Sequence, residues 1–340
     1  MSVSVSNTQK ADAPLNPENK LFIITLDGFR WEEVFHGADS LLIGDAAINT
    51  DTAMVRALYW SNSPAERRKK LMPFFWNIIA QQGELYGNRD HGNLVNVSNP
   101  YALSYPGYSE LLTGSVDYSI YGNEKKRNPN RNILELLNSF PGYKGKVAAF
   151  TSWDAFPYIL DKQDRSKGFV LNSGLQQAGS ERLTSAQKLL NAIQCEAKDT
   201  EAETRYDELT YVACREHIQK NKPSVVFLSF SGTDDAGHEN RYDEYLQEAN
   251  NADRMIGELW RLIQAMPEYA GKTTFLITTD HGRGKKRSNW SDHGLLIPGS
   301  SQTWYALLGN TIVPHGEMKV KTQIYQKDLY RLMMDILSRK

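Results

Sequence analysis

Residues 21–28 read LFIITLDG, an uninterrupted apolar run that ends in Asp27 and Gly28. A strand that is apolar at every position is buried on both faces, which is typical of a parallel sheet. Two further runs have the same character, SVVFLSF at residues 224–230 and TTFLITT at residues 273–279. Weaker strands are predicted at residues 94–97, 146–151 and 303–308. We therefore predict a central sheet built around three buried strands.

Helical patterns separate these strands. Apolar residues recur at intervals of three and four in residues 132–140, 185–196, 206–219, 243–265 and 326–338. The sequence SPAE at residues 63–66 has the form of a capping box, which predicts a helix that continues to Ile79. Strands that alternate with helices along the whole chain predict an α/β fold, with a mostly parallel central sheet flanked by helices on both faces.

The chain of 340 residues is long enough for one large domain. We expect a disordered polar N-terminus over residues 1–19 and a single domain over residues 20–340. Residues 155–205 contain an irregular polar stretch, which we interpret as a small cap insertion on the sheet.

Composition excludes several classes of protein. Hydrophobic residues make up 40% and charged residues 23%, which is typical of a soluble globular protein. The net charge of -1 supplies no basic field, so we expect no binding to nucleic-acid polymers. The apolar runs are much shorter than the ~18 residues of a membrane span. The two cysteines, Cys195 and Cys214, are too few for a cysteine-rich zinc module, and they leave open whether one disulfide forms.

Aspartates follow all three buried strands: Asp27, Asp234 and Asp280. Ligands of open α/β sheets bind at the carboxyl ends of the strands, so these side chains are expected to converge. Three converging carboxylates repel one another unless a positive charge lies between them. A single aspartate at a strand end is usually a turn former, but three in this position indicate a cation site.

Histidines accompany these aspartates. His238 lies four residues after Asp234, which places both side chains on one face of a helical turn. His281 directly follows Asp280, and His293 lies in the sequence SDHG. Three imidazoles and three carboxylates without a thiol suit zinc, and their number suits a pair of ions.

Ser104 is the candidate nucleophile. It opens the segment SYPGY, which follows a predicted strand and begins a predicted helix. The N–H groups at a helix N-terminus favour an anion, and a bound cation would promote ionisation of the serine hydroxyl. The alternative is that Ser104 only caps this helix.

Five segments in order resemble the motifs of the alkaline phosphatase superfamily, in its type I phosphodiesterase/nucleotide pyrophosphatase branch. They are TLDGFRW at residues 25–31, SYPGY at 104–108 with LLTG at 111–114, DDAGH at 234–238, TDHG at 279–282 and HG at 293–294. The resemblance extends over residues 21–308. It implies an alkaline phosphatase-like fold and a zinc-dependent hydrolase that acts on small-molecule phosphate esters.

The resemblance also implies roles for individual residues. One Zn²⁺ would be held by Asp234, His238 and His293. The other would be held by Asp27, Asp280, His281 and the Ser104 oxygen. Ser104 would attack phosphorus to form a phosphoseryl intermediate. Asn123 resembles the asparagine that contacts a phosphoryl oxygen, although Asn128 and Asn130 lie close to it in sequence.

The compartment is predicted from the resemblance and from the first residues of the chain. Relatives of this kind favour a periplasmic or secreted location, but the first 20 residues lack the apolar core of a signal peptide, and a cytoplasmic location stays open. The sequence predicts no oligomeric state.

The chain departs from the family pattern at two places. Gly107 and Tyr108 stand where many diesterases have Asn-His, so we expect a different substrate side of the pocket. The run from Arg283 to Arg287 either contacts a phosphate or forms a solvated basic loop.

Four alternative functions would each require other residues or domains. A sulfatase would carry an arginine four residues after its nucleophile, where this chain has Tyr108. A cofactor-independent phosphoglycerate mutase would need a second sugar-phosphate domain, and a non-catalytic metal-binding protein would lack the nucleophile. The nearer alternative is an alkaline phosphomonoesterase with an added cation, such as Arg283 or a lysine of the cap. We favour a diesterase, whose apolar patch would come from four aromatic residues: Trp31, Trp153, Phe156 and Tyr158.

Overall fold

The computed structural model describes residues 14–161, 168–175, 183–196 and 203–339. The strands in these ranges are β1 (Lys20–Leu26), β2 (Gly83–Tyr86), β3 (Asn93–Asn96), β4 (Val147–Thr151), β5 (Val170–Ser173), β6 (Val225–Phe230), β7 (Thr273–Thr278), β8 (Gln302–Thr303), β9 (Tyr305–Gly309), β10 (Gly316–Glu317) and β11 (Thr322–Tyr325).

The α-helices in the same ranges are α1 (Trp31–His36), α2 (Thr52–Tyr59), α3 (Pro64–Leu71), α4 (Ala80–Gln82), α5 (Ser104–Thr113), α6 (Ile133–Ser139), α7 (Phe156–Ile159), α8 (Ser185–Glu196), α9 (Asp207–Asn221), α10 (Gly232–His238), α11 (Tyr242–Gln264) and α12 (Asp328–Ser338). A π-helical turn (Phe75–Ile79) precedes α4, and a 3₁₀ turn (Arg89–His91) precedes β3. None of the described helices combines the length and apolar character needed to cross a membrane.

The large sheet has eight described strands in the order β10-β2-β9-β7-β1-β6-β4-β5, and a small sheet has the order β11-β3-β8. Strand β9 runs antiparallel to both of its neighbours. The other pairs of the large sheet are parallel. The predicted α/β fold with a mostly parallel central sheet is therefore confirmed.

Strand β1 lies at the centre of this sheet and explains why its sequence is apolar throughout. Phe22 and Ile24 belong to a core cluster that includes side chains of α1, α2, α9 and α11. Leu21 and Ile23 belong to a second cluster with α5, α6 and α12. Because successive side chains of a strand point to opposite faces, both faces of β1 are covered by helices. The three most apolar predicted strands, β6, β1 and β7, are adjacent, so their carboxyl ends lie together.

Some local predictions are wrong. The helix expected to run from residue 63 to 79 ends at Leu71 and is replaced by a π-helical turn after Pro73, a residue that cannot donate a backbone hydrogen bond. Ser63 is the N-cap residue of α3, but its side chain makes no capping hydrogen bond, so the capping box is absent. The weaker strand predicted at residues 94–97 is present as β3, one residue earlier in the chain, and it belongs to the small sheet.

The predicted boundaries of the domain also change. Residues 1–13 of the expected disordered N-terminus lie outside the described residues. Within the rest of that stretch, the Asn16 N–H donates to the Leu337 carbonyl at 2.8 Å and the Asn19 amide donates to the Arg339 carbonyl at 2.8 Å. These bonds order residues near β1 against the end of α12.

Part of the expected cap belongs to the sheet itself. Strand β5 pairs with β4 in parallel and forms one edge of the large sheet. Residues 162–167, 176–182 and 197–202 of this segment lie outside the described residues. Cys214 is a buried free thiol, whereas the Cys195 side chain lies outside the described part of the chain.

Candidate metal centre and nucleophile

The structure brings the three predicted carboxylates together around one imidazole. Asp27 and Asp280 follow the adjacent strands β1 and β7, and Asp234 lies in α10, which follows β6. The Nε2 atom of His281 is 3.5 Å from Asp27 Oδ1, 3.4 Å from Asp280 Oδ2 and 3.9 Å from Asp234 Oδ1. All three carboxylates are at most 9% exposed, so little water is available to screen their mutual repulsion.

Two groups of side chains are spaced for cation binding. Asp27, Asp280 and His281 offer ligand atoms that all lie within 4.8 Å of one another, and so do Asp234, His281 and His293. His281 is therefore common to both groups, whereas the family resemblance assigned it to one.

His238 joins the second group. Its Nε2 atom is 3.0 Å from Asp234 Oδ2 and 3.1 Å from His293 Nε2. The helical turn of α10 places His238 beside Asp234, as the four-residue spacing predicted. The six aspartate and histidine side chains predicted as cation ligands thus lie in one cluster.

Backbone carbonyls orient the two buried imidazoles. His281 Nδ1 is 2.9 Å from the Gly282 carbonyl, and His293 Nδ1 is 3.2 Å from the Ala102 carbonyl. Because a carbonyl only accepts hydrogen bonds, we assign the proton of each ring to Nδ1. The Nε2 lone pairs are then directed toward the carboxylates, which is the arrangement that a cation ligand requires.

The buried charges fit a divalent cation. Asp280 Oδ1 accepts the Gly28 N–H at 3.0 Å, but the buried Oδ2 has no hydrogen-bond partner among the described residues. Burial and the neighbouring Asp234 raise the pKa of Asp280 to about 7. Burial, Asp280 and Asp234 raise the pKa of Asp27 well above its usual value. Nitrogen and oxygen donors without sulfur suit a borderline or hard cation at this place.

We expect added Zn²⁺ to stabilise the protein more as the pH rises from about 6 to about 8. In cation-free protein the raised pKa values favour folding at low pH, and this contribution is lost as the pH rises through the pKa of Asp280, about 7. A bound cation removes the repulsion that causes the loss. Melting temperatures in zinc and in chelator, compared across this range, test the prediction. Equal zinc stabilisation at both ends of the range would contradict it.

Arg283 lies against the second group. It is 1% exposed, and its Nη2 donates to the Asp234 carbonyl at 2.9 Å and to the Asp234 carboxylate. Burial alone would raise the pKa of Asp234, but Arg283 and the nearby histidines outweigh it and hold this pKa well below its usual value. The sequence suggested that Arg283 lies in a solvated basic loop or contacts a phosphate. In the structure it is buried against Asp234 and does neither. Its neighbours from Lys285 to Arg287 are the exposed ones.

Ser104 is the first residue of α5, with Leu103 at the N-cap position, so the capping alternative for Ser104 is wrong. The Ser104 hydroxyl oxygen lies 3.1 Å from His281 Nε2 and 3.4 Å from Asp27 Oδ1. The preceding turn is strained, because Ala102 has a φ of 48° in the left-handed region. The predicted nucleophile thus lies beside the cation ligands at a helix N-terminus.

Asn123 lies next to Ser104 in space. Its Oδ1 accepts the N–H of Tyr105 at 3.0 Å. The two alternatives are engaged elsewhere: Asn128 donates to Ser109 and Asn130 donates to Asp117. The geometry therefore favours Asn123 among the three asparagines.

Tyr108 orients Asp27 through a hydrogen bond to its carboxylate. Its hydroxyl donates to Asp27 Oδ2 at 3.0 Å and accepts from Ser229 Oγ at 3.1 Å. Tyr108 is buried, so this departure from the family pattern orients a ligand. We had expected it to change the substrate side of the pocket, and at Tyr108 that expectation is wrong. Its position four residues after Ser104, one turn along α5, is the signal that sequence analysis missed.

Two further buried carboxylates hold the site and were not predicted. Asp207 accepts the N–H groups of Ser231 and Gly232, both at 2.9 Å, and so fixes the start of α10. Glu110 accepts the N–H groups of Ser98 and Asn99 at 2.8 Å and fixes the chain before Ser104. These contacts join residues far apart in sequence or in irregular turns, so no local pattern announces them.

The aromatic patch expected for a second substituent is mostly core. Trp31, Trp153 and Phe156 are 7%, 9% and 0% exposed, and Tyr158 is partly buried against the same core. Exposed aromatic surface lies instead near the turn that precedes Ser104. Tyr101 contacts Tyr121 with ring centroids 6.5 Å apart, and its hydroxyl donates to the Tyr118 carbonyl at 2.8 Å.

Comparison with known proteins supports this description. The model of the Metalloenzyme superfamily matches residues 178–296, which contain five of the six cation-ligand candidates. A 2,3-bisphosphoglycerate-independent phosphoglycerate mutase of Synechocystis sp. is 26% identical over 212 residues. The alignment covers 61% of this chain and 36% of the mutase, so the chain matches little more than a third of that relative.

Solved structures share the fold over nearly the whole chain. The lipoteichoic acid synthase LtaP from Listeria monocytogenes has a TM-score of 0.59 at 13% identity, covering 96% of this chain and 76% of its own. The phosphonate monoester hydrolase of Agrobacterium radiobacter has a TM-score of 0.57 at 13% identity, with coverages of 94% and 73%. BT1596, a 2-O GAG sulfatase, has a TM-score of 0.56 at 13% identity, with coverages of 95% and 71%.

The fold, the metalloenzyme match and the order of the motifs agree with one another. Residues 178–296 match the Metalloenzyme superfamily, and the chain shares its fold with structures of the alkaline phosphatase superfamily.

Proposed function

We propose that this protein is a phosphoric ester hydrolase that uses two Zn²⁺ ions and Ser104 as nucleophile. The observation that carries the proposal is the position of the Ser104 hydroxyl, 3.1 Å from His281 and 3.4 Å from Asp27 at the start of α5. Two spaced ligand groups support a pair of ions, and their nitrogen and oxygen donors support zinc. When bound, the cations would promote ionisation of the serine hydroxyl and neutralise phosphoryl charge.

In the proposed reaction, Ser104, the N-terminus of α5 and Asn123 have separate roles. Ser104 Oγ loses its proton to solvent and attacks phosphorus in line with the leaving oxygen. The Oγ–P bond forms as the bond from phosphorus to the leaving oxygen breaks, and the leaving group departs as an alkoxide or phenoxide that takes up a proton from water. Water then hydrolyses the phosphoseryl intermediate and restores the Ser104 hydroxyl. The N-terminus of α5 directs N–H groups toward the phosphoryl oxygens. Asn123 Oδ1 is engaged by Tyr105, which leaves the Asn123 amide NH₂ group for a phosphoryl oxygen.

Two features support a diester over a monoester substrate. A monoester carries an additional negative charge, but Arg283 is bound to Asp234. Lys125, which lies outside the cap and two residues after Asn123, is bound to Asp154 and Glu203, at 2.8 and 3.2 Å. Lys188 is the one cap lysine within the described residues. The exposed rings of Tyr118 and Tyr121 offer apolar surface for a second substituent. A sulfatase is disfavoured because the position four residues after Ser104 holds Tyr108, which is bound to Asp27.

The test compares kcat/KM for an aryl phosphate monoester and the matching diester, with zinc-loaded protein and a chelated control. We expect the diester to be favoured by at least about tenfold, which corresponds to ~1.4 kcal/mol in the barrier. A strong preference for the monoester would overturn the diesterase assignment and point to a cationic group near Ser104. Activity that survives chelation, or none on either ester, would contradict the two-cation mechanism.

A further inference from the structure

Arg283 occupies a slot that two glycines create. A Cβ atom on Gly28 would lie 2.9 Å from Arg283 Nε, and one on Gly237 would lie 2.5 Å from Arg283 Cζ. Gly28 follows Asp27 in the first motif, and Gly237 precedes His238 in the third. The guanidinium can lie here because neither position carries a side chain. The two glycines thus leave the space that Arg283 fills.

Two of the three guanidinium nitrogens of Arg283 donate hydrogen bonds, and the buried Nε has no hydrogen-bond partner among the described residues. The guanidinium donates to the carbonyl and the Oδ1 atom of Asp234, and its Nη1 donates to the Ser291 carbonyl. The other oxygen of Asp234, Oδ2, lies 3.0 Å from His238 Nε2. One oxygen of Asp234 is therefore bound by a fixed positive charge while the second faces the histidines.

The two ligand groups consequently differ in charge. Asp27 and Asp280 accept hydrogen bonds from neutral donors, the Tyr108 hydroxyl and the Gly28 N–H. That group presents two carboxylates with no guanidinium or ammonium bound to them in the described part of the chain. The group of Asp234, His238 and His293 presents one carboxylate, whose charge Arg283 already balances.

We propose that Arg283 makes the Asp234/His238/His293 group the weaker and exchangeable cation site, so that the protein loads its cations in two separate steps. The first cation would enter the Asp27/Asp280/His281 group, where the uncompensated negative charge is larger. The second would be repelled by the guanidinium beside its carboxylate ligand. Activity that needs both cations would follow the occupancy of the weaker site. This inference rests on the two-cation centre of the proposed function.

The test is a titration of chelator-stripped protein with ZnCl₂ against a chromophoric competing chelator, with bound zinc counted by elemental analysis. For the wild-type protein we expect two zinc ions whose affinities differ by at least about 100-fold. Two equal affinities would overturn the inference and leave the proposed function intact. Failure to bind zinc at all would overturn both.

Variants of Arg283 separate a charge effect from a packing effect. In Arg283→Met we expect the weaker zinc to bind at least about tenfold more tightly, because the repelling charge is removed, whereas Arg283→Lys, which keeps the charge, should stay within about threefold of the wild type. A purely structural role predicts the opposite sign, because a disordered Asp234 would bind zinc less well. Weaker binding in Arg283→Met, or equal behaviour of the two variants, would overturn the inference.

A second variant guards against misfolding of Arg283→Met, which circular dichroism would reveal. Gly237→Ala places a methyl group against the guanidinium and leaves all six ligand side chains in the sequence. We expect it to displace Arg283 from Asp234 and also to tighten the weaker zinc. Unchanged or weaker binding of that zinc in folded Gly237→Ala protein would contradict the inference.

Discussion

Replacing Ser104 with alanine is expected to lower kcat/KM by at least about 10³-fold, because a nucleophile that acts together with its activating groups carries most of the catalytic effect. The Ser104 hydroxyl lies beside His281 and Asp27, but neither side chain depends on it for its orientation. His281 keeps its bond to the Gly282 carbonyl, and Asp27 keeps its bond from Tyr108. We therefore expect Ser104→Ala to retain bound cations, with the Ser104 oxygen lost as one ligand.

The measurement combines steady-state kinetics with mass spectrometry of acid-quenched enzyme. Wild-type protein should yield a phosphorylated peptide that contains Ser104, and the variant should not. Ser109→Ala is the matched control, because Ser109 is a buried serine of the same helix whose contact is Asn128. Normal turnover by Ser104→Ala would rule out the proposed mechanism.

Replacing Asp280 with asparagine is expected to remove one of the two cations and to lower kcat/KM by about 10³-fold. The substitution keeps the shape of the side chain, and the remaining amide oxygen can still accept the Gly28 N–H. It removes the negative charge of the unpartnered Oδ2 atom, which lies beside His281. In cation-free protein the same change relieves repulsion from Asp27, so above pH 7 the variant should be at least as stable as the wild type.

Bound zinc, activity and melting temperature are measured together on Asp280→Asn. We expect bound zinc and activity to fall while the melting temperature of cation-free protein above pH 7 does not. Ordinary damage to the fold would lower all three. Asp292→Asn serves as control, since Asp292 is an exposed aspartate next to His293 and should leave all three unchanged. An Asp280→Asn protein that binds two zinc ions with full activity would contradict the assignment of Asp280 as a ligand.

The most apolar segments were the ones that the sequence predicted well. Residues 21–26 are buried on both faces, and burial on both faces requires an apolar side chain at every position. The ligand positions were predictable for a related reason, because an aspartate at the end of such a strand is fixed in space by the strand itself. Strands β2 and β10 are short and partly polar, so their pairing depends on neighbours that the local sequence does not reveal.

Arg283 shows why the surroundings of the centre were harder to predict. It lies in the sequence GRGKKR, in which the following three basic residues are exposed, so composition favours a solvated loop. Its burial depends on Gly28 and Gly237, which are remote in sequence and remove the side chains that would exclude it. The support of α10 by Asp207 is non-local in the same way.

The strained turn at Ala102 links the nucleophile to the cation centre. A left-handed alanine costs ~1 kcal/mol, and here the turn is held by the Ala102 N–H, which donates to Asn99 Oδ1 at 2.9 Å. Ala102 lies two residues before Ser104, and its carbonyl accepts a hydrogen bond from the His293 ring. The same turn therefore positions both a ligand and the nucleophile. Any coupling between cation and substrate binding that passes through this turn must be reciprocal, so each would change the affinity for the other by the same factor.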